Sequence, residues 1–468
     1  MSTSSNDPTA TSNDTASELG IPSGSSPSTA AATSPSSRSV YVETYGCQMN
    51  VSDSELIAGV LASSGYRSVP EPGRADVILL NTCAIRENAE EKVSRRVRQL
   101  ISERRGTRRV RIGLAGCMAQ HHRDRLLENI PGLDFVVGPD GYRRLGDLLD
   151  SEEPVSAVQL DRRETYADIL PVREAGVRAW LTIMRGCDRF CTFCVVPFVR
   201  GRERSLPPEV LRAELERIAS EGFREVVLLG QTVNSYRHEN TGFGDLLRMA
   251  CEVEGLARIR YTSPHPADFD DATIAAMQDC PKLSPYIHLP LQSGSDRVLT
   301  AMQRGHTIDE YLSLVTRLRD AIPNLALSTD IIVGYPDETE AEFEATAQLM
   351  KDVDFDHAFL FKYSPREGTR AFKLDDTVPE AEKARRLEQL IAEQQARSLR
   401  INQRMIGQTT EVLVESTPKR QPDWLAGKNA QFKTVAFEPA GAQLGEIATV
   451  LVEATSSQTL SGREIRPS

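Results

Sequence analysis

Apolar positions along this chain follow two alternating periods, and the pattern changes character three times. From 39 to about 150, short apolar runs alternate with amphipathic stretches. SVYVETYG (39–46), DVILLNT (76–82) and VRIGLAG (110–116) read as strands. Ser54 to Ser63, and a charged segment from about Glu87, read as helices. Such alternation predicts a parallel sheet with crossover helices. From about 178 to 376 the alternation repeats six times, with AWLTIMR, VVLLG, RIRYT, YIHLPLQ, ALSTDIIVGY and DHAFLFKYS as strands. Stretches between them, such as PPEVLRAELERIAS (207–220), space apolar residues three and four apart, as a helix does. Six βα units predict a curved, partial parallel barrel with its chemistry at the carboxyl ends of the strands. A charged helix over about 379–404 leads to strand-like EVLVEST, FKTVAFE and EIATVLVEAT, with KNA (428–430) and SGRE (461–464) as turns. The fold class is therefore α/β. An amino-terminal parallel α/β domain spans 39–155, a partial (βα)6 barrel 173–404, and a small β-barrel 405–468.

Residues 1–38 are mostly Ser, Thr, Ala, Asn, Pro and Gly, with no aromatic side chain. Such a segment buries too little apolar surface to offset its ordering entropy and is expected to be disordered. Asp7, Asp14 and Glu18, against Arg38 as the single basic residue, argue against a transit peptide.

Composition narrows the setting. The chain has 468 residues, 40% hydrophobic and 26% charged, which suits a soluble globular protein of two or three domains. Its longest apolar runs, such as VVLL (226–229), are far too short to span a bilayer, and no secretory signal opens it. A cytoplasmic location with no membrane partner is expected. The net charge of −11 argues against nonspecific nucleic-acid binding by the whole surface. One stretch, KVSRRVRQLISERRGTRRVR (92–111), is strongly basic and reads either as a solvated helix face or as a phosphate-contacting patch.

Six of the eight cysteines form two sets of three. Cys187, Cys191 and Cys194 lie in CDRFCTFC, a CxxxCxxC spacing. Zinc sites use CxxC pairs with a second pair elsewhere, and no second CxxC exists here, so iron–sulfur ligation is the better reading. Phe193 is placed to cover one side of such a cluster. Cys47, Cys83 and Cys117 each follow a predicted strand, 36 and 34 residues apart. In a parallel sheet those strand ends share one edge, where α/β sheets bind ligands, so the three can meet. Three thiolates leave one cluster iron open to a substrate or cofactor. Cys251 and Cys280 fall outside both sets and read as structural.

CxxxCx-aromatic-C is the signature of radical S-adenosylmethionine (SAM) enzymes, and the chain resembles their methylthiotransferase family. The resemblance rests on TYGCQMN (44–50), NTCAIRENAEEKV (81–93), GCMAQ (116–120), RGCDRFCTFCVVPFVRGRERS (185–205) and GQTVNSY (230–236). It continues through SPHP (263–266), HLPLQSGSD (288–296), RGHT (304–307), STDIIVGYPDET (328–339) and YSPREGTRA (363–371). It implies two [4Fe–4S] clusters, an auxiliary one on Cys47, Cys83 and Cys117 and a radical-SAM one on Cys187, Cys191 and Cys194, with S-adenosyl-L-methionine as the further cofactor. It also implies a carboxy-terminal barrel similar to a TRAM RNA-binding domain. There Lys419, Arg420, Lys428 and Lys433, with Trp424 or Phe432, are candidates for RNA contact, or else for solvation and barrel packing.

Weaker assignments follow from the same resemblance. Gly230 and Gln231 are candidates for the SAM amino group. Arg202 and Arg204 are candidates for its carboxylate, or else for ion pairs with Glu203 or Glu209. Ser328 and Asp330 are candidates for ribose contacts, or for barrel-interior hydrogen bonds. His265 and His288 read as structural. The runs VVPFVRGRERS and GQTVNSY are most similar to the subgroup that adds a methylthio group to carbon 2 of N6-isopentenyladenosine at tRNA position 37. This implies a tRNA substrate, a one-electron donor of flavodoxin or ferredoxin type, and a sulfur donor. The same chemistry on a ribosomal-protein aspartate or on threonylcarbamoyladenosine in tRNA is the alternative, and a noncatalytic iron–sulfur RNA-binding redox sensor a remote one. Thr232, Tyr335 and Asp337 depart from the family, where Asn, Phe and Gly are common.

Overall fold

Strand Val77–Thr82 is buried at all six positions. That is the burial of a parallel strand covered on both faces. The computed structural model describes residues 38–84, 87–104 and 110–466. The low-complexity head before Arg38, and residues 105–109 of the basic stretch, lie outside the described residues. Val77–Thr82 belongs to a six-stranded, all-parallel sheet. Its order is Arg67–Ser68, Ser39–Thr44, Val77–Thr82, Arg111–Gly116, Phe135–Val137 and Val155–Ala157. Alternate residues of one strand serve two cores. Val77 and Leu79 meet Leu56, Ile57, Val60 and Leu61 of helix Gln48–Ser63. Ile78 and Leu80 meet Val93, Val97 and Leu100 of helix Glu87–Glu103. The register pairs Thr44 with Asn81 and Thr82 with Gly116, which brings three carboxyl ends level at one edge.

The middle of the chain forms two three-stranded parallel sheets. One is ordered Arg258–Tyr261, Glu225–Leu229, Arg178–Thr182, and the other Tyr286–His288, Ala326–Val333, His357–Lys362. A parallel bridge between Ile259 and Leu283 joins them into one curved wall of six strands. A single apolar core runs through it from Ala179 to Leu390. Helices Phe243–Glu252 and Asp271–Asp279 pack together outside the wall, and a disulfide joins Cys251 to Cys280 there. Both cysteines stand apart from the two trios, as expected, and are bonded to each other.

Helix Glu380–Gln403 packs on the last strand and leads into a closed five-stranded barrel. Two turn expectations are corrected here. Lys428 and Asn429 of KNA end strand Leu425–Asn429, and SGRE lies in strand Thr459–Glu464. Pairing of Thr434–Glu438 with Thr459–Glu464, in parallel, closes the barrel. Gly427 and Gly462 let their strands approach antiparallel neighbours closely, where the register shifts, since a Cβ at either would collide with the Leu413 or Leu451 carbonyl. Turn-forming residues are here strand residues chosen for close backbone approach.

This barrel docks at the amino ends of the wall, opposite the cysteine edge. Arg178, Glu225 and Arg258 are the first residues of their strands. Glu225 is fully buried between Arg178 and Arg260, and Arg178 also pairs with Glu415 of the small barrel. Arg260 donates to the Asn429 and Ala430 carbonyls at 2.7 and 3.0 Å. The Phe432 ring lies under Arg260 and Lys428, each 4.8 Å from its centroid. Lys433 pairs with Asp356 at 2.6 Å. Phe432, Lys428 and Lys433 are thus spent on an internal interface and are corrected as RNA-contact candidates; Lys419 and Arg420 remain exposed, and Trp424 partly so.

Burial alone would raise the Glu225 carboxyl, but Arg178 and Arg260 together hold it down to about 2. Its stabilisation is therefore present above the unfolded carboxylate range and lost as pH falls toward 2. Glu225→Gln leaves two buried guanidiniums without their shared anion. We expect urea denaturation at pH 7 to show a loss of about 3–5 kcal/mol. The gap from wild type should narrow below about pH 4.3; a gap independent of pH would show that the charge is not the cause.

A candidate two-centre cysteine site

The three separated cysteines leave neighbouring strand ends and are drawn together by buried amides. Asn50 Nδ2 donates to Asn81 Oδ1 at 3.3 Å and to the Thr82 carbonyl at 3.2 Å. Asn81 Nδ2 returns a bond to the Asn50 carbonyl at 2.8 Å, and Thr82 Oγ1 donates to the Ala115 carbonyl at 2.7 Å. Cys47 caps the start of helix Gln48–Ser63. The residue before it, Gly46, has φ of +138°, and a Cβ there would sit 2.6 Å from Cys83 Cβ. Only glycine lets this loop close on the next. The Cys47 and Cys83 thiols hydrogen-bond to one another, and Cys117 lies within the field of Cys47. The bond from Cys83 pulls the Cys47 thiol down to about 6, while burial pushes Cys117 up.

The compact trio follows the first strand of the wall, in a loop anchored at several points. Cys187 N–H donates to the Gly201 carbonyl at 3.1 Å, and Cys194 N–H to the Cys191 carbonyl at 3.0 Å. Thr192 N–H donates to the Met302 carbonyl at 3.0 Å, and Thr192 Oγ1 meets the Tyr335 hydroxyl at 2.8 Å. Arg304 Nη1 donates to Cys191 Sγ at 3.3 Å, and Thr232 Oγ1 lies 3.2 Å from Cys187 Sγ. Phe193 packs toward Val298, Met302 and Tyr335. Burial, reinforced by Cys191, pushes the Cys194 thiol up to about 12, and burial also raises Cys187. All six thiols are free. Cys117, Cys187 and Cys194, raised by burial, resist ionising until a cationic centre supplies the charge and displaces their protons, while Cys47 is already poised as a thiolate ligand. The donor set therefore fits metal clusters on both trios.

One helix, Val196–Arg200, lies between them. It begins two residues after Cys194, and Val195 and Val199 pack on Cys117 and Ala84. Arg200 Nε donates to Cys117 Sγ at 3.1 Å, and its Nη2 to Asp53 Oδ2 at 2.7 Å. Arg185, two residues before Cys187, reaches the other Asp53 oxygen at 2.9 Å. Asp53 is fully buried on helix Gln48–Ser63. The two centres thus share one ionic bridge across the domain boundary. Neither Asp53 nor Arg200 was singled out from the sequence. Asp53 carried a signal, as a charge on the apolar stripe of Met49, Leu56, Ile57 and Val60.

Other assignments fare unevenly. Arg204 is corrected: it is buried against Asp140 at 2.9 Å and donates to the Arg200 carbonyl, so it cannot reach SAM. Arg202 is exposed and bound to Asp188, not to Glu203 or Glu209. Ser328 is corrected as well: it is fully buried between the Tyr286 hydroxyl (2.7 Å) and His288 Nδ1 (2.9 Å), near the amino end of the wall. Asp330 pairs with His288 at 3.2 Å inside the barrel. Gly230 packs on Met184, and Gln231 Oε1 beside it is buried without a partner among the described residues. His265 is buried, with Nδ1 accepting from the Ala267 N–H.

A thiol trio in a loop after the first strand of a partial (βα)6 wall defines the radical SAM class. Residues 181–350 match the Radical SAM superfamily, and residues 39–138 match Uncharacterized protein family UPF0004. A solved radical SAM methyltransferase, TsrM from Kitasatospora setae, shares the fold with a TM-score of 0.54 at 13% identity, over 70% of this chain and 72% of that one. Three curated relatives are each named tRNA-2-methylthio-N(6)-dimethylallyladenosine synthase. That of Chloroherpeton thalassium is 44% identical over 91% of this chain and 96% of its own length. That of Porphyromonas gingivalis is 44% identical over 92% and 95%. That of Chlorobium phaeovibrioides is 43% identical over 91% and 96%. The chain belongs to the family of tRNA-2-methylthio-N(6)-dimethylallyladenosine synthases.

Arg200→Met removes the donor on Cys117 and one of the two partners of Asp53. Anaerobic urea unfolding should show a loss of about 1.5–3 kcal/mol. Arg200→Lys keeps the charge without the planar fork and should recover only part of it. Unchanged stability in Arg200→Met would mean that the contact contributes nothing.

Proposed function

We propose that this chain adds a methylthio group to carbon 2 of N6-isopentenyladenosine at tRNA position 37. One observation carries the reading: two cysteine trios flank a single helix in a chain 44% identical, over 91% of its length, to a synthase named for that kind of product. Cys187, Cys191 and Cys194 would hold the [4Fe–4S] cluster that SAM approaches. Cys47, Cys83 and Cys117 would hold a second, auxiliary [4Fe–4S] cluster. When bound, these groups supply the electron, the radical that takes the target hydrogen, the sulfur and the methyl group.

The chain's own residues bind, orient and shield. Arg200 and Arg304 each direct a guanidinium N–H at one ligand sulfur, a contact that tunes cluster potential. Gln231 Oε1, a buried acceptor without a partner among the described residues, supports a role toward the SAM ammonium group. Ala84, Val195 and Val199 fill the space beside Cys117 and keep water from it. Arg95 and Arg98 are exposed on helix Glu87–Glu103, with Lys419 and Arg420 exposed on the small barrel, and offer phosphate contacts. The target base would be splayed out of its loop, as enzymes acting on a base require. A flavodoxin- or ferredoxin-type donor and a sulfur donor complete the reaction, which is placed in the cytoplasm. Among the described residues no helix is long and apolar enough to cross a membrane.

Anaerobic reconstitution should load about eight irons per chain, two four-iron clusters. Cys191→Ala should abolish 5′-deoxyadenosine formation. Cys83→Ala should retain it and make no methylthio product. Methylthio product from Cys83→Ala would overturn the auxiliary assignment. Mass spectrometry of tRNA nucleosides from cells lacking the protein should show N6-isopentenyladenosine accumulating without its methylthio form. Loss of the methylthio mark from threonylcarbamoyladenosine or from a ribosomal-protein aspartate instead would reassign the substrate.

A further inference from the structure

Outside the two trios, one more set of ligand-type side chains converges among the described residues: Glu90, His121 and His122. We propose that these three residues bind a zinc-type divalent cation, at a site separate from both trios. One ligand atom from each lies within 4.8 Å of the other two. Two elements bring them together. His121 and His122 end helix Cys117–His122, and Glu90 lies in the first turn of helix Glu87–Glu103.

Hydrogen bonding fixes the form of His121. Its Nε2 lies 2.9 Å from the Glu367 carbonyl oxygen. A carbonyl only accepts, so in the neutral ring Nε2 carries the proton and Nδ1 the lone pair. That Nδ1 is buried and has no partner among the described residues. Metal-ligating histidines show this arrangement, with one ring nitrogen donating to a backbone carbonyl and the other facing the ion.

His122 Nε2 lies 3.2 Å from Glu90 Oε2. Tetrahedral zinc, with ligands at about 2.0–2.2 Å, places neighbouring ligand atoms about 3.3–3.6 Å apart. This pair is therefore within a few tenths of an ångström of the spacing of two ligands on one ion. The two imidazole rings meet edge to face, 4.8 Å between centroids, so neither blocks the other's nitrogen by stacking. Two imidazoles and a carboxylate suit zinc, with water in the fourth position. Partial exposure of His122 and Glu90, at 28% and 21%, admits that water. An ordinary His122–Glu90 ion pair would account for one contact and leave His121 Nδ1 unexplained.

The location gives the ion a task. His122 lies five residues after Cys117 and Glu90 seven after Cys83. The Glu367 carbonyl that orients His121 belongs to a loop of the (βα)6 wall. A bound ion would tie together the segments that carry two thiols of the separated trio.

The test uses the full chain with its clusters reconstituted anaerobically, so that the cysteines are engaged. It is then exposed to zinc chloride and desalted. We expect about one zinc per chain, with X-ray absorption showing nitrogen and oxygen neighbours, imidazole scattering, and no sulfur at about 2.3 Å. Glu90→Gln, and separately His121→Ala with His122→Ala, should lower zinc retention at least about tenfold. Should the double histidine variant also lose iron, Glu90→Gln, which preserves shape, decides. Background zinc in the wild type, sulfur neighbours, or full retention in Glu90→Gln would each overturn the site. The readout is metal content and scattering, so it stands or falls apart from the tRNA reaction proposed above.

Discussion

Asp53 is one carboxylate with two guanidiniums, and the mutual placement of the two cysteine trios depends on it. It sits fully buried on a helix of the amino-terminal sheet, and both partners come from the loop and helix around the compact trio. At an effective dielectric constant near 20, unit charges at about 4 Å attract by about 4 kcal/mol. Desolvation offsets much of that, so the bridge contributes little net stability. What it contributes is registry. A domain docked one helical turn away would leave three charges buried and uncompensated. Because Arg200 also holds Cys117, correct docking and a correctly oriented thiol are the same event.

A second ionic cluster acts at the opposite end of the six-stranded wall. Glu225, between Arg178 and Arg260, secures the amino ends of the strands, and the small barrel closes over them through backbone carbonyls and the Phe432 ring. The wall is therefore held from both ends by the domains that flank it in sequence. Of the small-barrel residues named as candidates for RNA contact, Lys419 and Arg420 stay exposed and Trp424 partly so.

Much of this was legible in the chain itself. The alternation of strand and helix periods located the parallel sheet and the six-stranded wall, because both bury near-continuous apolar strands. The placement of Cys47, Cys83 and Cys117 after adjacent strands predicted their convergence, because register alone brings those ends level. What pattern does not carry is which polar side chain meets which. Arg200, Arg202 and Arg204 alternate in one run. Only the path of the chain turns the first toward Cys117, the second to solvent and the third into Asp140. The same limit applies to Cys251 and Cys280, whose pairing depends on how two outer helices pack, and to Lys428 and Phe432, whose composition suits RNA and a protein interface equally.

Two of the three positions read as departures from the family pattern lie against the loop of the compact trio. Thr232 contacts Cys187, and the Tyr335 hydroxyl reaches Thr192 between Cys191 and Cys194. Asp337, the third, adopts φ of +63°, a conformation glycine takes freely and Asp tolerates. The Tyr335–Thr192 bond ties two distant segments into one inherited unit. A chimera that grafts the loop of a phenylalanine-bearing relative onto this scaffold would leave the tyrosine hydroxyl with the Ala301 carbonyl alone, so the loop and its distant partner must travel together.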